Sequence, residues 1–132
     1  MKTVIMILAC MAAIPAHASE VVIAQLQDTY HSDGAGAFSA ERGKGMWMQT
    51  FKQQESGKPV SCATCHTADI RQRGAHVRTG KIIEPMAAST NAEGLNDPKK
   101  IEKWFLRNCK WTMGRECTAQ EKGNFLAYFL SE

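Results

Sequence analysis

The chain has 132 residues, enough for one domain. Sixteen Lys and Arg against thirteen Asp and Glu leave a formal charge of +3, which is not the balance of a nucleic-acid binder. Its apolar opening run, Thr3 to Ile14, is far short of the ~20 residues a membrane-spanning helix needs.

The N-terminus reads as an export signal. Met1-Lys2 is a positive start, the apolar run comes next, and Ala16-His17-Ala18 supplies a small-x-small cleavage site. Cleavage after Ala18 is expected. Residues 1–18 are then a removed signal peptide, and residues 19–132 form a periplasmic domain with no membrane span. A lipoprotein signal ending at Cys10 is the alternative, and it would have a very short hydrophobic region. The mature chain keeps Cys62, Cys65, Cys109 and Cys117. An even number in an exported protein suggests that every sulfur is used.

Helical signals dominate the mature chain. Residues 20–30 suit a first short helix, which the Gly-rich stretch His31 to Ala37 breaks. Ser39 is an N-cap for a second helix reaching about Gln53, with Met46, Trp47 and Phe51 at helical spacing. Ser56-Gly57-Lys58-Pro59 ends it. From Thr67 to Pro98 the chain is polar and irregular, long for a loop unless it wraps a large ligand. Asp97-Pro98 reads as the N-cap and first residue of a third helix. This helix has Ile101, Trp104 and Phe105 on one face and an end near Cys109. Thr118-Ala119-Gln120-Glu121 is a capping box. It opens a last helix carrying Phe125, Leu126, Tyr128 and Phe129. No strand pattern of useful length appears, so the expected fold class is all-α.

Two basic stretches stand out. One holds Arg71, Arg73, Arg78 and Lys81; the other holds Lys99, Lys100, Lys103, Arg107, Lys110 and Arg115. A solvated face is the default reading. A docking surface for an acidic redox partner is the functional one.

Cys62-Ala63-Thr64-Cys65-His66 is the signature of c-type haem attachment. The two thiols add to the two vinyl groups as thioethers, and the two-residue gap matches their separation on a helical turn. The adjacent histidine then lies under the iron and coordinates it through a ring nitrogen. The other ring N–H is expected to donate to a backbone carbonyl, and the chain near Glu84-Pro85-Met86 is a candidate for it. A thioredoxin-like motif would need a strand-to-helix setting. A zinc site would need a second ligand pair at ordinary spacing, and Cys109 and Cys117 are eight residues apart. One covalent haem c is therefore the expected cofactor.

The sixth iron ligand decides what such a haem does. Spacing offers Met86, Met113, Met46, Met48, His76 and His31. Met86 is only twenty residues beyond His66, which leaves little chain to reach the opposite face. Residue reasoning leaves the ligand open between Met86, Met113 and His76.

A resemblance bears on this point. Ile101 through Arg107-Asn108-Cys109, then Gly114-Arg115-Glu116-Cys117-Thr118 and Glu121-Lys122, resemble the C-terminal half of the sphaeroides haem protein family. Arg78-Thr79-Gly80-Lys81 and Glu41-Arg42-Gly43 resemble its earlier segments. The likeness covers most of the mature chain and is most specific in the last third. It implies a class I cytochrome c-like helical fold with an asparagine sixth ligand, matched by Asn108, and a disulfide matched by Cys109 and Cys117. Met86 stands where some members have leucine, which argues against a required thioether there. An amide oxygen is a hard, weak donor that suits ferric iron better than ferrous, so reduction should open the site.

The expected function is electron transfer rather than enzymatic catalysis. The resemblance implies a dihaem cytochrome c and a membrane cytochrome b as partners. The iron position that opens could bind O2, NO or CO. The alternative is a gas-binding or gas-reducing haem protein, acting in O2 or NO chemistry or sensing.

Overall fold

A computed structural model describes residues 16–132. The expected signal, residues 1–18, lies outside them except for its last three positions. The first helix, α1 (Ala16–Ser32), starts earlier than the sequence suggests, and the Ala18–Ser19 bond falls in its first turn. Ile23, Leu26 and Tyr30 form its buried face, at the three- and four-residue spacing that faces a core. The chain leaves α1 through Gly34, at φ +91°.

The second helix, α2 (Ala40–Met48), is capped by Ser39, whose hydroxyl accepts from the Arg42 N–H. It stops at Met48 rather than near Gln53. Gln49 turns extended, and Phe51 enters a short antiparallel ladder of β1 (Phe51–Lys52) with β2 (Pro59–Val60). Gln53, expected as helix, is buried in the turn that joins them. Its amide oxygen accepts from the Ser56 N–H at 2.7 Å, and its backbone carbonyl accepts from the Gly57 N–H at 2.8 Å. Gly57 sits at φ +67°, a conformation glycine adopts without a Cβ penalty.

A single-turn helix, α3 (Ala63–His66), comes next. The polar stretch after it is largely irregular. It holds a second two-residue ladder, β3 (Gly74–Ala75) with β4 (Ile82–Ile83), and a 3-10 turn at Ala92–Leu95. It also gives Ile70, Ala87 and Leu95 to the core, so it is held by burial as well as by length.

The fourth helix, α4 (Pro98–Met113), is capped by the Asp97 carboxylate, which accepts from the N–H groups of Lys99 and Lys100. It runs past Cys109 and stops at Gly114, which is left-handed at φ +74°. Its buried face is Ile101, Phe105, Cys109 and Thr112. Trp104, expected on that face, is 46% exposed. The fifth helix, α5 (Ala119–Ser131), opens with the Thr118/Glu121 capping box. Arg115 clamps the Glu121 carboxylate with its two terminal guanidinium nitrogens, at 2.8 and 2.7 Å. That contact, with the backbone N–H of Thr118 accepted by the same group, holds the carboxyl below its usual range.

The architecture is all-α with two minimal ladders. The strongest pairing is α2 on α5, with α1 against α5 beside it. The crossing is close because Gly43 lies on the α5 backbone. A Cβ there would stand 2.1 Å from the Asn124 carbonyl oxygen and 2.8 Å from the Tyr128 Cβ. Asn124 is itself buried, and its side-chain oxygen accepts from the Ser39 N–H at 2.9 Å.

Gly43→Ala is expected to push α2 off α5 and cost about 1–3 kcal/mol, read as a lower denaturant midpoint for the holoprotein. Because the Glu121 carboxyl is depressed in the folded state, its stabilisation is present above its usual value of 4.5 and is lost as pH falls below it. The stability difference between the wild type and Glu121→Gln should therefore be largest near neutral pH. It should shrink as pH is lowered below 4.5, measured by urea titration at several pH values.

Candidate cofactor site

The site is built from α3 outward. Ser61 and Thr64 open the turn reciprocally, with the Ser61 N–H donating to the Thr64 hydroxyl at 2.9 Å and the Thr64 N–H to the Ser61 carbonyl at 3.1 Å. The His66 N–H donates to the Cys62 carbonyl at 3.1 Å. One helical turn thus carries Cys62, Cys65 and His66 in sequence. The turn ends abruptly at Thr67, which has φ +68° and is the one non-glycine residue at positive φ among the described residues. A β-branched side chain disfavours that conformation by about 1–3 kcal/mol, so neighbours must hold it. The Trp47 indole N–H donates to the Thr67 carbonyl at 3.0 Å, and the Thr67 hydroxyl donates to the Asp69 carbonyl at 2.6 Å.

Two further contacts fix the turn. The Trp47 ring lies 5.3 Å from the His66 ring, tilted 49°. The same indole meets Phe125, Tyr128 and Phe129 edge-on at 6.1, 6.3 and 5.4 Å. On the other side, Gly74 brings β3 against the turn, and a Cβ there would stand 1.9 Å from the Cys65 carbonyl oxygen. Only glycine permits that approach. Sequence reasoning placed Trp47 on an apolar helix face and gave Gly74 and Thr67 no role. A tryptophan reads the same whether it packs on leucine or on a ligand, and no pattern links Gly74 to Cys65.

The chemistry of the donors is particular. Burial pushes the Cys62 thiol up to about 12, so it is a neutral thiol. Burial pushes His66 down to about 4, so it is a neutral imidazole. Its Nδ1 is buried with no hydrogen-bond partner. The expected donation to a carbonyl near Glu84-Pro85-Met86 is not made. The Pro85 carbonyl accepts from the Asn91 side chain at 2.8 Å, and the Met86 N–H donates to the Ile70 carbonyl. An orphaned, neutral ring nitrogen beside two unpaired cysteines fits a covalent haem. No group of three or more His, Cys, Asp or Glu able to share a metal ion occurs among the described residues.

Cys109 and Cys117 form a disulfide with Cα atoms 5.6 Å apart, tying the end of α4 to the start of α5. Asn108 precedes it on α4 and is exposed. It lies one turn beyond the exposed Trp104, on the stripe flanking the buried face.

The other sixth-ligand candidates are scattered. His31 is exposed and stacks on Phe38 at 4.4 Å. The His76 Nδ1 accepts from the N–H groups of Arg78 and Thr79 in a turn, at 3.3 Å each. Met48 is exposed. Met46, Met86 and Met113 pack on the core, with the Met113 sulfur 3.9 Å from the Cys117 sulfur.

Comparison with known proteins places the chain among c-type cytochromes. Residues 33–129 match a family model described as a domain of unknown function, DUF1924. The chain is 39% identical to cytochrome c-type protein SHP of Cereibacter sphaeroides over 129 residues, covering 96% of this chain and 97% of that protein. It is also 39% identical to cytochrome c'' of Methylophilus methylotrophus over 90 residues, 68% of this chain and 62% of the relative. The solved structure of oxidised SHP, described as an oxygen binding cytochrome c, superposes with a TM-score of 0.76 at 37% identity, covering 83% of this chain and 96% of that one. The crystal structure of oxidised cytochrome c'' superposes with a TM-score of 0.75 at 33% identity, covering 89% and 96%. The chain therefore belongs to the DUF1924 family of SHP-type cytochromes c, with a class I-like helical fold and covalent haem c as its cofactor.

Proposed function

We propose that the protein is an exported, periplasmic monohaem cytochrome that transfers electrons, and that its iron position opposite His66 opens on reduction to admit O2, NO or CO. Cys62 and Cys65 would hold the haem through thioethers, with His66 and Asn108 as the ligands of its iron. Bound there, haem supplies a one-electron redox centre whose character follows its axial ligands.

The observation that carries this reading is the division of the four cysteines among the described residues. Two stay free on the turn with His66, whose Nδ1 is buried without a partner, and two are joined beside Asn108. The first pair suits attachment. The second pair ties the segment that carries Asn108 to α5 and limits how far that segment can swing. A disulfide closing so short a loop also stabilises by about 3 kcal/mol. The Asn108 amide oxygen is hard and neutral, so it bonds ferric iron better than the softer ferrous ion. Asn108 would therefore be the ligand given up on reduction.

The description of SHP as oxygen binding supports that role. So does a solution structure of Methylophilus methylotrophus cytochrome c'', described as giving insights into haem-ligand detachment. Export is supported by the signal-like start and by the disulfide. Among the described residues no helix is long and apolar enough to cross a membrane. A dihaem cytochrome c and a membrane cytochrome b are the partners the family resemblance implies. The oxygen-binding relative also favours a second reading, in which gas binding or gas reduction is itself the function.

Replacing Cys65 with Ala should remove its thioether and abolish stable covalent attachment, seen as loss of haem stain on a denaturing gel. Asn108→Ala should keep the stain and change the ferric absorption spectrum. The wild-type ferric spectrum should lack the thioether-to-iron charge-transfer band, and its presence would sink the Asn108 assignment. Reduced wild type should shift its spectrum on anaerobic addition of CO or NO. No shift would remove gas binding and leave electron transfer alone.

A further inference from the structure

We infer that the solvent face of α4 is the docking surface for an acidic electron-transfer protein, an inference that rests on the reading of the chain as a redox carrier. The helix holds Lys99, Lys100, Lys103, Arg107 and Lys110 against one acid, Glu102. Its formal charge of +4 exceeds the +3 of the whole chain, so everything outside it sums to −1. Glu102 does not offset its neighbours, because its carboxylate is engaged by the Lys122 ammonium at 2.6 Å and by the Tyr30 hydroxyl. Only Lys110 has an ion pair, with Glu116 at 3.2 Å. Among the described residues the other four cations have no anionic partner within 4.0 Å.

Stability does not account for the placement. Lys99 and Lys100 occupy the first turn of α4, where the helix dipole disfavours positive charge. Trp104 and Leu106, 46% and 43% exposed, flank the cations. The Arg107 guanidinium lies 5.2 Å over the Trp104 ring, a pairing of aromatic and Arg that recurs at protein interfaces. The stripe runs up to Asn108, whose neighbour is Arg107. A partner seated here would lie beside the segment proposed to meet the iron.

An anionic membrane is the competing occupant of a basic helix. The geometry favours a protein. Trp104 and Leu106 stand roughly 200° apart around the helix, with the cations between them, so α4 has no continuous apolar face to immerse.

The test uses the ferric holoprotein and reduced plant-type ferredoxin, a strongly acidic one-electron donor, under anaerobic stopped flow. One electron passes from the ferredoxin cluster to the ferric protein, giving oxidised ferredoxin and ferrous protein. The wild-type second-order rate should fall steeply as salt is raised. The triple variant Lys99→Glu, Lys103→Glu, Arg107→Glu should react about tenfold or more slowly at low salt. A milder set, Lys99→Gln, Lys103→Gln, Arg107→Gln, should fall between them, and Arg78→Glu with Lys81→Glu should react like wild type. Equal rates for the α4 variants, or a larger loss in the Arg78 and Lys81 variant, would overturn the assignment. So would loss of phosphatidylglycerol-vesicle binding in the α4 variants with the ferredoxin rate unchanged. Reduction by dithionite separates the two levels of inference: if wild type cannot be reduced at all, the carrier reading fails, and if it can, only the docking surface is at stake.

Discussion

The Trp47 indole makes two contacts on which the rest of the site depends. Its ring lies against the His66 ring at 5.3 Å, and its N–H holds the Thr67 carbonyl at 3.0 Å. The first presses the imidazole against the core. The second helps hold a threonine at positive φ, which ends α3 within one turn of its start. The indole can do this because α2 is pressed onto α5, where Phe125, Tyr128 and Phe129 surround it. That crossing in turn depends on Gly43, which leaves no side chain between α2 and the Asn124 carbonyl.

The core and the site are therefore one construction. The aromatic cluster of α5 supplies apolar area, and it backs the Trp47 ring against which His66 lies. Desolvation keeps the imidazole neutral and leaves its Nδ1 without a protein partner. In an ordinary core such a polar atom would be a defect costing about 1–3 kcal/mol. Beside two free thiols it is the mark of a position built to hold something else. The same logic separates the two cysteine pairs. Cys109 and Cys117 are buried and joined, while Cys62 and Cys65 are half-buried and free on the turn with His66.

The helix α4 divides its labour by face. Ile101, Phe105, Cys109 and Thr112 point inward and anchor it. The opposite face carries its cations, and the boundary stripe carries Trp104 and Asn108. The exposure of Trp104, against the expectation of burial, belongs to this division. The helix ends at Gly114 and is stapled by its disulfide to α5, so the segment around Asn108 is held at both the inward face and the C-terminal end.

Much of this was legible from residues alone. The Cys62 to His66 motif, the Asp97-Pro98 start, the Thr118 capping box and the aromatic spacing of α5 are local chemistry, complete within a few residues. The motif's meaning is set by the thiols and the ring themselves, so no tertiary information is needed to read haem from it. The end of α2 was misjudged because Gln53, helical in pattern, is drawn into a turn by its own amide and by pairing of Phe51 with Val60. Trp104 was misjudged because periodicity does not tell the centre of a buried stripe from its edge. The roles of Trp47, Thr67 and Gly74 could be decided only by the tertiary structure. Each acts on a residue distant along the chain or through a backbone angle, and neither distance nor angle is written in a local pattern.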